Sequence, residues 1–127
     1  MFNPLDNSWE NVPNSNYATS SHTTVNISDS RILFCGGFSA DPGVGQLCET
    51  YDSATNSWDA SVAPMNMARW VHSAVPLGDK YLLTAGGENT SGWLNSAEIY
   101  DIENNCWFDI DDLNGGQASF FGLVQIS

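Results

Sequence analysis

Short apolar runs bounded by polar turn residues recur along the chain, and their spacing predicts strands. Residues 71–107 show the pattern most clearly. Val71 to Leu77 reads as a first strand ending at Gly78 and Asp79, and 80–85 as a second, carrying Tyr81, Leu82 and Leu83 and closed by Gly86 and Gly87. A polar loop over 88–92 leads to a third strand over 97–100. A turn over 101–105 then opens a fourth strand near Trp107. Brief strands separated by Gly, Asn and Asp clusters are the mark of successive hairpins. No segment sustains a 3.6-residue apolar period, so helix is expected to be nearly absent.

The pattern repeats at a fixed period. Phe2-Asn-Pro-Leu-Asp-Asn-Ser-Trp9, Tyr51-Asp-Ser-Ala-Thr-Asn-Ser-Trp58 and Tyr100-Asp-Ile-Glu-Asn-Asn-Cys-Trp107 share one scheme: an aromatic, polar turn residues, Asn, a small residue and Trp. Trp9, Trp58 and Trp107 follow one another at steps of 49 residues. His22 and His72 lie 50 apart, as do Gly36-Gly37 and Gly86-Gly87, and Val25, Val75 and Val124 keep nearly the same step. Several marker types in one register indicate a repeat array.

A unit of four antiparallel strands at this period describes a propeller blade. The order Arg69-Trp-Val-His72, then Leu82-Leu-Thr-Ala-Gly86-Gly87, then Tyr100-Asp101, then Trp107 resembles the kelch repeat. The preceding unit follows it with His22, Ile32-Leu-Phe-Cys-Gly36-Gly37, Tyr51-Asp52 and Trp58, but carries Thr19 where the arginine would stand. The resemblance implies an all-β fold of four-stranded antiparallel blades forming an incomplete kelch-type β-propeller. On this reading 22–58 and 72–107 are kelch units, 1–21 holds the outer-strand stub of a preceding blade with a linker, and 118–127 is the first strand of a following blade. The glycine pairs are expected where the backbone must turn and pack closely, and the Tyr and Trp markers where neighbouring blades meet. His22 and His72 are expected to be buried or half-buried structural residues, because a catalytic or metal site is seldom duplicated blade by blade.

Propellers usually have four to eight blades, so this length does not close a ring. A longer chain, several copies completing one ring, or end-to-end stacking into an open polymer would each cover the outer blade faces. The apolar strand Phe120 to Ile126 and the stub around Trp9 are candidates for pairing between chains.

Charge narrows the partners. Fifteen Asp and Glu face three Lys and Arg, for a net charge of −12. Phosphate backbones and anionic membranes need clustered Lys and Arg, so neither nucleic acid nor membrane is expected as a partner. A basic partner or a divalent cation suits the field better, and the simpler reading is that the acidity only keeps the protein soluble. No apolar run reaches the ~18–20 residues of a membrane span, and Met1, Phe2, Asn3 and Pro4 do not open a signal peptide.

Chemistry-bearing residues are few. Cys35 and Cys48 fall at facing ends of neighbouring strands and are a candidate disulfide, with two buried free thiols as the alternative. Their counterparts in the next unit are Ala85 and Ala97. Cys106 is left over, as a candidate for pairing between chains. Asn26-Ile-Ser28 and Asn89-Thr-Ser91 are glycosylation sequons, about as many as chance supplies in a chain this rich in Asn, Ser and Thr. The candidate disulfide, far more than the sequons, leans towards an extracellular rather than a cytoplasmic setting, and the compartment is left open. The carboxylates of Asp109 to Asp112 lack the glycine and terminal Glu of a calcium loop, which makes a solvated turn the simpler reading. No cofactor, metal or catalytic constellation is expected.

The resemblance therefore implies a non-enzymatic protein-interaction module, part of a larger propeller or assembly. The loops 38–46 and 88–94 would form its contact face, with Phe38, Asp41, Asn89 and Trp93 as candidate contact residues. The alternatives are a structural subunit whose copies complete one another's blades and, from a different class, a fragment of a galactose-oxidase-like copper enzyme. The copper reading needs a His and Tyr constellation, whereas both histidines and two of the four tyrosines here are repeat markers.

Overall fold

The computed structural model describes residues 1–41 and 43–110. The expected architecture is the one the chain adopts: nearly all β, in antiparallel four-stranded sheets that do not close a ring. A hairpin of β1 (Phe2–Asn3) and β2 (Ser8–Trp9) precedes the first blade. That blade orders β3 (Thr23–Asn26), β4 (Arg31–Cys35), β5 (Cys48–Asp52) and β6 (Ser57–Asp59), with one 3₁₀ turn at Val44–Gln46 in its long loop. The second blade begins with β7 (Ser73–Leu77) and β8 (Tyr81–Ala85). A small hairpin of β9 (Glu88–Asn89) and β10 (Gly92–Trp93) follows, and β11 (Ala97–Asp101) and β12 (Cys106–Ile110) complete the sheet.

Two details differ from the sequence reading. The first strand of the second blade starts at Ser73, not Val71, because Val71 adopts a left-handed φ of 47° that breaks the strand. Its N–H donates to Ser21 O at 3.1 Å, and Ser21 has a φ of 57°, so the repeat imposes this kink in both blades. The segment 88–92, read as a polar loop, is part of the β9–β10 hairpin, with Asn89 paired to Gly92. The strand expected over 118–127 lies outside the described residues, as do Val124, Asp111 and Asp112.

The turns explain the repeated motif. Asn7, Asn56 and Asn105 all take a left-handed φ between 50° and 56°, which Asn tolerates better than most residues. Asn56 and Asn105 also accept the phenolic O–H of Tyr51 and Tyr100, each at 2.7 Å. The preceding Asp holds the same turn from the other side, since Asp52 Oδ1 accepts from Ala54 N–H and Asp101 Oδ1 from Glu103 and Asn104 N–H.

The blades pack face to face. Register and strand alternation place Val25, Leu33, Cys35 and Cys48 on one face of the first sheet. They meet Leu82, Tyr100 and Trp107 of the second sheet, with Met65 of the crossover between them. Leu33, Leu82 and Met65 are each 1% exposed, and burial of such a side chain contributes about 2 kcal/mol. The crossover from β6 to β7 is tied to the second blade by Trp107 Nε1–H donating to Ala63 O at 2.8 Å and by Ala63 N–H donating to Asn105 Oδ1. One repeat earlier, Trp58 Nε1–H donates to Pro13 O, also at 2.8 Å.

Candidate functional site

At the end where β4 and β8 finish, the crossovers run hard against the strand ends. Gly36 and Gly37 have φ of 69° and 106°, and a Cβ on Gly36 would lie 2.5 Å from Arg69 O. No other residue fits there. Gly37 N–H donates to Arg69 O at 2.9 Å, which fixes the crossover beside the first blade's loop. Trp70 then bridges to Glu88 through both backbone groups at 3.0 Å, and its Nε1–H donates to Glu88 Oε1 at 2.9 Å. The exposed Phe38 ring meets the edge of Trp70 at 5.4 Å and 84°.

These contacts leave a groove of about 370 Å³ between the loops of the two blades. Phe38, Asp41, Ala68, Trp70, Asn89 and Thr90 are among its walls. Asp41 is exposed at the rim, where one carboxylate oxygen accepts from Gly43 N–H and shapes the loop. Asn89 Oδ1 accepts from Ser91 N–H. Three of the four candidate contact residues therefore meet in one groove. Trp93 does not line it and stands exposed on β10 opposite Glu88. Trp70 was not singled out from sequence as a contact residue, because it lies between the two markers of the Arg69-Trp-Val-His72 pattern. A larger cleft of about 490 Å³ lies at the opposite end, between the turns of the two blades, with Asn26, Ser28, Asp29 and Asp79 in its walls. It is polar and presents no comparable pair of aromatic rings.

The histidines occupy different surroundings. His72 is buried, and its Nε2 shares a hydrogen bond of 2.8 Å with Thr23 Oγ1 across the blade interface. Burial, with the Arg69 charge adding to it, lowers the His72 pKa to about 3, so the ring is neutral at physiological pH. His22 is exposed and its ring lies 5.6 Å from Phe34. The two residues are equivalent by repeat, but only the second has a whole blade against it.

A buried ion pair escaped the sequence reading. Arg69 and Glu98, 0% and 1% exposed, meet at 3.0 Å. Arg69 Nη1 also donates to Gly86 O and Ser96 O, while Glu98 accepts from the N–H groups of Asn66 and Met67. The signal available was the recurrence of Glu49 and Glu98 at 49 residues within apolar strands.

Cys35 and Cys48 form a disulfide between directly paired strand ends, with Cα atoms 4.2 Å apart. Ala85 and Ala97 pair in the same register in the second blade. Cys106 is a half-buried free thiol on β12. Of the sequon residues, Asn26 is exposed on β3 and Asn89 is half-buried. Asp109 Oδ1 accepts from Asn66 Nδ2 at 3.3 Å. Among the described residues no group of three or more His, Cys, Asp and Glu is placed to hold a metal ion, and no helix is long and apolar enough to cross a membrane.

Comparison with known proteins places the repeats. The Kelch motif matches residues 69–114. Kelch-like protein 26 of Danio rerio is 31% identical over 97 residues, covering 73% of this chain and 16% of the relative. Kelch-like protein 4 of Homo sapiens is 39% identical over 70 residues, covering 55% of this chain and 10% of the relative. Kelch-like protein 7 of Rattus norvegicus is 40% identical over 60 residues, covering 47% of this chain and 10% of the relative. The chain thus spans only 10% to 16% of the length of these relatives.

Proposed function

Because this chain belongs to the kelch-repeat family, we propose that it is a non-enzymatic protein-interaction module whose contact site is the groove between the loops of its two blades. The observation that carries this reading is the exposed Phe38 ring set against Trp70, with Asp41 at the rim. An exposed aromatic ring set on a half-buried one, beside an unneutralised carboxylate, suits a segment that offers an apolar side chain next to Lys or Arg. The net charge of −12 would speed the approach of such a segment. A peptide library displayed on phage tests the proposal. Enrichment of sequences joining an apolar and a basic residue is expected, with binding lost in Phe38→Ala and weakened in Asp41→Lys. Enriched peptides that bind both variants as well as the parent chain would contradict it.

A second reading, completion of the outer blade faces by further copies, is favoured by one observation. The face of the second blade turned away from the first exposes Tyr81, Phe108 and Ile110 at 43%, 51% and 39%. The corresponding face of the first blade, with Val25 and Leu33, is buried. Light scattering separates the readings: a concentration-dependent multimer that Phe108→Asp dissolves would support assembly, and a monomer throughout would not.

A further inference from the structure

Glu49 and Glu98 stand one repeat apart on β5 and β11, and both are buried, at 4% and 1% exposed. Asn66 N–H donates to Glu98 as Asn16 N–H does to Glu49, so the crossovers approach the two carboxylates in the same way. The difference is the cation. Glu98 has Arg69, whereas Thr19 occupies the corresponding position before Glu49. Asn16 adds a second bond through Nδ2 at 2.9 Å, again to Oε2 of Glu49. Among the described residues no hydrogen bond reaches Glu49 Oε1.

Among the described residues no cation of the chain pairs with this carboxylate. It contains three Lys and Arg. Arg69 is held by Glu98, Arg31 reaches Thr50 on the other face of the sheet, and Lys80 lies in the β7–β8 turn at the far end of the second blade. The Met1 ammonium donates to Glu10 O. A recess of about 290 Å³ opens beside Glu49, walled by Tyr17, Thr19, His22, Phe34 and Trp58. A buried carboxylate left without a cation is costly, and flat aromatic walls favour a flat cation over a compact ammonium. A single carboxylate is too few for a divalent metal.

We propose that this recess is a binding site for a guanidinium group, carried by an arginine side chain of a partner polypeptide. Arg69 is held by Glu98, and Arg31 lies on the opposite face of the first sheet beside Thr50, so neither arginine of the same molecule fills the recess. The bound group would take the place beside Glu49 that Arg69 takes beside Glu98. The site is separate from the interblade groove and does not depend on that reading.

The test is NMR titration of the ¹³C,¹⁵N-labelled chain with N-acetyl-arginine-N-methylamide, and with the lysine analogue as control. The Glu49 carboxyl carbon and the Trp58 indole N–H are expected to shift and saturate with the arginine compound, at several-fold lower concentration than with the lysine one. Thr19→Arg, which supplies the guanidinium internally, is expected to raise the melting temperature and abolish the shifts, and Glu49→Gln to abolish them without that gain. Absence of saturation, equal affinity for the lysine compound, unchanged binding in Glu49→Gln, or a lower melting temperature in Thr19→Arg would each overturn the proposal.

Discussion

In the second blade Trp107 is 8% exposed and His72 is buried, while in the first blade Trp58 is half-buried and His22 exposed. Trp9, one repeat earlier, is 79% exposed. The local structure of these markers is nevertheless shared. Each of the last two tryptophans donates its indole N–H to the crossover at 2.8 Å, and each Tyr–Asn pair closes its turn at 2.7 Å. A repeat motif therefore encodes the bonds within a blade and its crossover, and the neighbour packed against that blade decides how much of it is buried. The blades differ most where one replaces covalent or ionic reinforcement by something smaller. The first has the Cys35–Cys48 disulfide and Thr19 at the position of Arg69, and the second has the Arg69–Glu98 pair and two alanines.

The largest effect tests the ionic side of this contrast. Arg69→Ala leaves Glu98 buried without its cation and is expected to cost about 3–5 kcal/mol in urea unfolding. Thr19→Ala, at the same position of the first blade, should change stability by no more than about 0.5 kcal/mol. Equal effects would erase the distinction between the blades. The covalent side comes next. The cysteines are separated by 13 residues, and a loop of that size implies about 3 kcal/mol for the bridge. The double substitution Cys35→Ala with Cys48→Ala, which copies the second blade, should lose about that amount and make stability insensitive to reductant.

A pH experiment reads the burial of His72. Its folded pKa, lowered to about 3 by burial, lies below the ~6.5 of an unfolded histidine. The unfolded chain binds more protons between those values, so the contribution is complete above pH 6.5 and is lost as pH falls towards 3. From pH 7 to 5 it amounts to about 2 kcal/mol. Unfolding curves for His72→Gln should lack that part of the acid destabilisation, and parallel curves for parent and variant would show that His72 is not held neutral by burial. The smallest effect concerns the kink that both blades share. Val71 holds a φ of 47° where the first blade has Ser21, and Val71→Asn is expected to raise stability by about 1 kcal/mol. A loss in thermal unfolding would mean that the Val71 side chain matters more than its backbone strain.

The fold was legible because its signals are periodic: the tryptophan step, the glycine pairs and the Tyr-Asp turns each report a local backbone requirement. The facing of Cys35 and Cys48 followed from their places at the ends of paired strands. The Arg69–Glu98 pair was not legible, since a glutamate inside an apolar strand carries no mark of the crossover that will cover it. The different burial of His22 and His72 was hidden for the same reason, because equivalence by repeat says nothing about what packs on each copy. The groove was half legible. Phe38, Asp41 and Asn89 follow from loop position and exposure, whereas Trp70 depends on the bridge to Glu88.

The most direct test of the proposed interaction site is to titrate a selected apolar-basic peptide into the ¹⁵N-labelled chain and map the perturbed amides. The account predicts saturating shifts at Phe38, Asn89 and the Trp70 indole, with the turns around Ser28 and Asp79 unchanged. Shifts confined to those turns, at the opposite end of the blades, would contradict it.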